Sequence, residues 1–255
     1  MNVLWVYAHP EERSLSGALR EEGVGTLRGL GHRVRESDLY AMKWNPVVEA
    51  ADFGLGSEDR LLVGPAARRA HRSGTLSPDI RAEQEKLTWA DTVVLQFPLW
   101  WLGPPAILKG WVDRVFVNGF AFGVTDPVTG RTRRYGDGGL AGRRALVVVT
   151  IGAREASFGP RGIHGDLDGV LFPVQHGLFW YTGMAALPPF AVYGADRATE
   201  ADYAAAAARL RDRLATLQDT EPVRFRHQDG GDYDDDLVLR PHIAPGVAGP
   251  GAHYA

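Results

Sequence analysis

The sequence predicts an α/β fold: an open, doubly wound, five-stranded parallel sheet with helices on both faces. Three observations predict it. Short, nearly continuous apolar runs at residues 3–8, 92–97 and 144–150 have the composition of strands buried on both sides. Helix-period segments opened by a capping residue or a proline separate them. Neither an internal repeat nor a linker divides the 255 residues, a length that can bury one large core. Strands alternating with helices then require parallel pairing, because each crossover is long enough to return the chain in the same direction.

Taken in order, residues 3–8 form the first strand, and Ser14 caps a helix over about 15–30 that Gly31 stops. Residues 32–37 alternate as a second strand. Residues 38–52 read as a loop, and 60–72 as a helix. Ser77-Pro78-Asp79 starts another helix, running to Trp89, with proline at its first position. The third strand follows at 92–97, then a helix over about 105–117. Residues 120–142 are a long loop rich in Gly, Arg and Thr, expected to act as a lid or substrate loop. The fourth strand is 144–150, residues 163–177 mix helix and loop, and 185–193 form the fifth strand. An alanine-rich helix spans 199–217. Residues 1–227 are thus one domain, and 228–255, acidic and then rich in Gly and Pro, a C-terminal arm without a core of its own.

Composition narrows the functional classes. A net charge of −3 gives no reason to expect nucleic-acid binding. The absence of cysteine excludes disulfides, iron–sulfur clusters, thiolate zinc sites and cysteine nucleophiles. The N-terminal segment lacks the basic and long apolar regions of a signal peptide, and no apolar run reaches the length of a membrane span. A cytoplasmic location is the corresponding expectation.

Doubly wound sheets bind ligands at the carboxyl ends of their strands, and three loops fall there. His9-Pro10-Glu11-Glu12-Arg13-Ser14-Leu15-Ser16 opens the first helix. Its amides, the Ser14 and Ser16 hydroxyls and Arg13 suit a diphosphate, though an ordinary serine-capped turn would look the same. The segment from Gln96 to Trp111 leaves a buried strand through the proline-broken, tryptophan-rich Pro98-Leu99-Trp100-Trp101-Leu102. Large flat side chains and free amides at a strand end suit a planar, partly charged cofactor, which suggests a flavin; the bland alternative is that both tryptophans belong to the core. At the end of the fourth strand, Thr150-Ile151-Gly152-Ala153 permits close approach of backbone to a ring. Beyond it, Gly162-Ile163-His164-Gly165-Asp166 sets an imidazole between glycines, where it can donate a hydrogen bond to a developing anion or simply lie at the surface. No G-x-G-x-x-G follows a strand, and there is no P-loop, G-x-S-x-G elbow or H-E-x-x-H. Hydrolase, kinase and metalloenzyme readings lose support together, and no metal site is expected.

These loops, with Ser37-Asp38-Leu39-Tyr40-Ala41-Met42, Asn45-Pro46, Leu76-Ser77-Pro78-Asp79-Ile80, Glu83-Gln84, Gln96-Phe97-Pro98-Leu99, Pro105-Ala106-Ile107-Leu108-Lys109-Gly110-Trp111 and Arg114-Val115-Phe116, carry a resemblance. The chain resembles the FAD-dependent NAD(P)H:quinone oxidoreductases of flavodoxin-like fold, the DT-diaphorase type, over residues 3–225. The resemblance implies a homodimer with FAD near the subunit interface. It also implies a ping-pong reaction in which NADH or NADPH reduces the flavin and leaves before a quinone takes the hydride. By matching position, His9, Ser14, Leu15 and Ser16, helped by Arg13, would hold the FAD phosphates. Pro98, Leu99, Trp100 and Trp101 would border the isoalloxazine, with Thr150, Ile151, Gly152 and Ala153 at its polar edge. Trp101, Leu102, Phe122 and Tyr181 would form the pocket shared by nicotinamide and quinone.

The departures from the family pattern matter too. A tyrosine usually pairs with the glycine-flanked histidine; here that position is Phe158, leaving His164 to act alone or with water. Phe122 and Val124 replace pocket tyrosines, Ser16 an asparagine, and Tyr203 falls near an arginine position. An alternative acceptor, such as a nitro, azo or imine compound, follows from the more apolar pocket. A flavin-binding regulatory subunit docked on a partner protein is the non-enzymatic alternative.

Overall fold

The computed structural model describes residues 1–56 and 59–255. Its strands are β1 (Asn2–Tyr7), β2 (Arg33–Asp38), β3 (Thr92–Pro98), β4 (Arg144–Ile151), β5 (Ala185–Ala186) and β6 (Phe190–Tyr193). They form a sheet in the order β2-β1-β3-β4-β5, with β6 also paired to β4. Every pairing is parallel, with Val3 opposite both Val34 and Thr92, and Thr92 opposite Arg144. The helices are α1 (Leu15–Gly29), α2 (Val63–Ser73), α3 (Pro78–Trp89), α4 (Ala106–Val115), α5 (Leu167–Val174) and α6 (Glu200–Ala215).

The expected fifth strand, 185–193, is two short strands instead. Pro188 and Pro189 supply no backbone N–H for the ladder, so pairing to β4 stops after Ala186 and resumes at Phe190, opposite Val148. Residues expected as loop before α2 include a 3₁₀ turn at Ala50–Phe53. The mixed segment 163–177 resolves into α5 and a π-helical turn, Gln175–Trp180.

Alternating residues of the central strands feed two cores. Leu4, Val6, Val93, Leu95 and Val147 face Ile80, Leu87, Trp111 and Val115. Val3, Trp5, Val94, Leu146 and Val148 face Leu19, Leu27, Leu210 and Leu214. Helices therefore cover both faces, as two-sided burial of the strands demands. On the α1 side the fit is close: a Cβ at Gly23 would lie 2.4 Å from the buried Trp5 ring.

Many motif residues that carry the family resemblance lie in the opposite layer and are architectural. Arg114 donates to both Asp52 carboxylate oxygens at 3.1 and 2.6 Å, to Asp79 at 2.7 Å and to the Asn45 carbonyl at 3.0 Å. Glu83, buried, accepts from the Ser37 hydroxyl, the Trp111 indole and Lys86. At Gly110 the backbone of Pro46 comes so near that a Cβ would sit 2.2 Å from its carbonyl oxygen. A lone buried charge is costly and a fully bonded one fixes register, so these residue types hold α3, α4 and the preceding loop in one arrangement.

The C-terminal arm contains no α-helix, but it docks. Phe225 bridges Tyr254, Arg226 N–H donates to the His253 carbonyl at 3.0 Å, and Ala252 is buried. The long loop 120–142 is pinned to the π-helical end by Tyr135 N–H to the Tyr181 carbonyl and Leu140 N–H to the Thr182 carbonyl.

Candidate functional site

A cleft of about 650 Å³ opens at the carboxyl ends of β1, β3 and β4. Geometry forces the chain to change direction there, and the topology places the three loops side by side. Gln96 ties their bases together. Its side chain accepts from the Trp5 indole at 2.8 Å and donates to the Ser16 carbonyl at 2.7 Å. The Ser16 and Thr150 hydroxyls lie 2.7 Å apart, linking the start of α1 to the end of β4. Leu99 N–H then donates to the Thr150 carbonyl at 2.8 Å, fixing the departure of the tryptophan loop.

The first loop contributes His9, Ser14, Leu15 and Ser16 to the cleft. Ser14 caps α1 by accepting from Gly17 N–H at 3.1 Å. The N–H groups of Leu15 and Ser16 have no acceptor within the helix, because the first turn has no preceding carbonyls. Free amides at a helix N-terminus are suited to an anionic group. Arg13 does not line the cleft: its side chain is exposed and pairs with Glu11 at 3.1 Å. Tyr203 does not line it either, and packs against the α1-side core.

The second loop contributes Pro98, Leu99, Trp100, Trp101 and Leu102. Trp100 and Gly103 exchange both backbone hydrogen bonds at 3.0 Å, closing a two-residue turn. Its central residues, Trp101 and Leu102, have φ of 52° and 57°. Such a turn favours Asn or Gly, and bulky side chains in left-handed conformation carry a cost of about 1–2 kcal/mol each. The bulky pair is held there with Trp101 fully exposed and Leu102 and Trp100 partly so. Strain of this kind clusters at ligand clamps. Neither tryptophan belongs to the core, and both line the cleft.

From the third loop come Thr150, Ile151, Gly152, Ala153, Phe158 and His164. The ring of Phe158 lies 4.8 Å from that of His164 and 5.7 Å from that of Tyr193. Its apolar edge stands beside the imidazole and offers it no proton. His164 N–H donates to the Ser157 carbonyl at 3.1 Å, closing the loop on itself.

Ala195 and Asp196, which follow β6, also line the cleft and were missed. The Asp196 carboxylate crowds Gly152, where a Cβ would lie 2.2 Å from an oxygen. No local motif marks these two residues; the rule that ligands sit beyond strand carboxyl ends, applied to the last strand, would have found them.

Phe122 and Tyr181 do not join the cleft. They share a separate cavity of about 260 Å³ with Phe116, Asn118 and Leu178. Val124 is also absent from the cleft, as is the whole 120–142 loop, so within one chain that loop does not act as its lid. The pinning of the loop to Trp180–Thr182 accounts for this. Among the described residues no group of three His, Cys, Asp or Glu side chains could hold a metal ion, and no helix is long and apolar enough to cross a membrane.

Comparison with known proteins agrees with this architecture. The family described by its flavodoxin-like fold matches residues 1–214. The ribosyldihydronicotinamide dehydrogenase-like protein traD of Penicillium crustosum is 42% identical over 235 residues, covering 91% of this chain and 87% of that protein. NAD(P)H dehydrogenase (quinone) 1 of Rattus norvegicus is 36% identical over 225 residues, covering 88% and 80%. A solved structure of a Klebsiella pneumoniae protein assigned as a quinone reductase superposes with a TM-score of 0.96 at 46% identity, covering all of both chains. Sheet order, cleft position and these relatives lead to one conclusion: the chain belongs to the flavodoxin-like family of oxidoreductases that includes the quinone-type NAD(P)H dehydrogenases.

Proposed function

We propose that this protein is an FAD-dependent NAD(P)H oxidoreductase that delivers a hydride to a quinone or similar planar acceptor by a ping-pong mechanism. The observation that carries the reading is the meeting of three strand-end loops in one cleft, with helix-terminal amides at one side and flat apolar side chains at the other. The residues fit a flavin dinucleotide. Leu15 and Ser16 amides and the Ser14 hydroxyl suit its phosphates, Pro98 to Trp101 its ring, and Thr150 to Ala153 its polar edge. When bound, the flavin supplies a two-electron relay between nicotinamide and acceptor. The names of the Penicillium and rat relatives favour nicotinamide and quinone chemistry.

The chain's own groups divide the remaining work. Trp101 and Leu102 present an apolar wall that excludes water and selects flat molecules. His164 is the group we assign to hold or donate a proton at the reacting edge of the ring. Phe158 packs that imidazole but takes no part in proton transfer. Phe122 and Tyr181 enter the acceptor pocket, in this reading, from a second copy of the chain in a homodimer; their shared cavity offers a partner subunit an apolar face. The cytoplasm is the compartment this chemistry suits.

Chromatography of the flavin released from purified protein tests the cofactor, followed by anaerobic mixing with NADH or NADPH and then a quinone. FAD, bleaching and recovery are expected; FMN would overturn the dinucleotide assignment, and failure to take up flavin would overturn the whole reading. The loss of the phenol at Phe158 favours a second acceptor class of nitro, azo or imine compounds. Faster turnover of those than of simple quinones would support it.

A further inference from the structure

Another cavity, of about 340 Å³, shares no lining residue with the cleft. It forms where the C-terminal arm closes over α5 and the π-helical turn. Its walls are flat. Phe172 and His176 stack at 4.5 Å and 13°, and the Tyr135 ring lies 4.9 Å from His176. The arm supplies Tyr233 and His253, stacked at 14° and joined through the tyrosine hydroxyl and Nδ1 at 2.9 Å.

Two guanidinium groups border these rings. Arg134 donates through Nε to Gln228 at 2.6 Å, and Arg226 donates to Asp232 at 2.7 Å and to the Ala252 carbonyl at 3.1 Å. Among the described residues, both terminal nitrogens of Arg134 and one of Arg226 have no acceptor. Burial, with the neighbouring His253, pushes the His176 imidazole down to about 4. Near pH 7 His176 is therefore neutral and offers one donor and one acceptor, and neither ring nitrogen is bonded to a described residue.

Aromatic walls beside the free guanidinium edge of Arg134 suit a ring bearing an anionic group, and a carboxylate matches that planar edge. The volume lies near the lower end for small-molecule sites, which suits one or two fused rings and not a dinucleotide. We propose that this cavity is a second ligand site, specific for a planar aromatic carboxylate whose ring packs against its aromatic walls and whose carboxylate pairs with Arg134. The site is independent of the flavin reading, because it is built from other residues.

Calorimetric titration of the full-length protein with 2-naphthoate tests it. The expected result is one saturable site per chain. Arg134→Leu, or replacement of the ligand by neutral 2-naphthamide, should weaken binding at least about tenfold through loss of a charge-assisted pair. Trp101→Ala, a change in the flavin cleft, should leave it unaltered. Three results would overturn the proposal: no saturable binding, equal affinity for the amide, or binding lost in Trp101→Ala but kept in Arg134→Leu. The amide comparison needs no variant to fold. Flavin content measured on the same samples separates failure here from failure of the oxidoreductase reading.

Discussion

At the scale of single residues, the proposed reaction turns on Phe158 and His164, which both line the cleft. With their rings 4.8 Å apart, the imidazole has an apolar neighbour where a phenol would supply a second donor. His164→Ala should slow anaerobic flavin bleaching by NAD(P)H about 10²-fold if the imidazole stabilises developing charge, with His164→Gln partly restoring it. An unchanged bleaching rate in stopped-flow absorbance would remove His164 from the mechanism. Phe158→Tyr should raise the same rate up to about tenfold, the worth of one added hydrogen bond. The strained pair Trp101–Leu102 makes a complementary case. Replacing it by Asn-Gly, which suits the two-residue turn, should stabilise the fold by about 1–2 kcal/mol while abolishing selection of flat acceptors. Denaturant melts and acceptor KM together read that exchange; a destabilised variant would show that the indole is packed for stability.

Among the elements, α1 shows why helix propensity alone misleads. Gly23 lies inside it, where alanine ordinarily gains about 1 kcal/mol. Yet the missing Cβ admits the edge of Trp5, which would otherwise lie 2.4 Å away. Gly23→Ala should therefore destabilise by about 1–3 kcal/mol through overpacking, measured as a lowered denaturation midpoint. An increase would mean that the indole swings aside without loss. The last strand carries a related lesson: its apolar residues read as one run, but Pro188 and Pro189 interrupt the ladder without removing either half from β4. Capping was partly transparent: Ser14, read as a cap, accepts from an amide in the first turn of α1, whereas Thr199, taken as the first residue of α6, caps that helix instead.

For the whole molecule, the arm is the feature that couples distant sequence to stability. His176 is buried against Phe172, Phe225 and Tyr135, with His253 from the arm 5.6 Å away. Its folded pKa, pushed by burial and then by His253 from 6.5 to about 4, lies below the ordinary value. The unfolded chain then binds more protons between these values, so stability is present above about pH 6.5 and declines as pH falls toward 4. His176→Phe should flatten that part of the stability–pH curve, in thermal melts taken at steps through the window. An unchanged slope would place the acid sensitivity elsewhere. In the opposite layer, Asp79 is held below the usual carboxylate range: burial alone would raise it, but the Ser77 hydroxyl and Arg114 outweigh that effect. Its contribution is present above the ordinary carboxylate pKa and is lost only in stronger acid.

Residue order determined the sheet, its parallel sense and the three loops at its carboxyl edge, because buried strands need apolar runs and helix starts need caps. Those signals are local in sequence, and they survive without knowledge of what packs where. Tertiary structure alone decided the rest. It turned Arg13 to the surface, brought Asp196 into the cleft from a turn with no motif, and set Phe122 and Tyr181 in another cavity. It also gave the family's Arg114 and Glu83 motifs an architectural task and folded the arm onto α5. Each of these outcomes depends on long-range packing and on charges finding partners far away in sequence, which periodicity cannot encode. The Trp101–Leu102 turn joins both kinds of information: its residue types were plain in the chain, while its left-handed backbone and the full exposure of Trp101 arose only when the loops met.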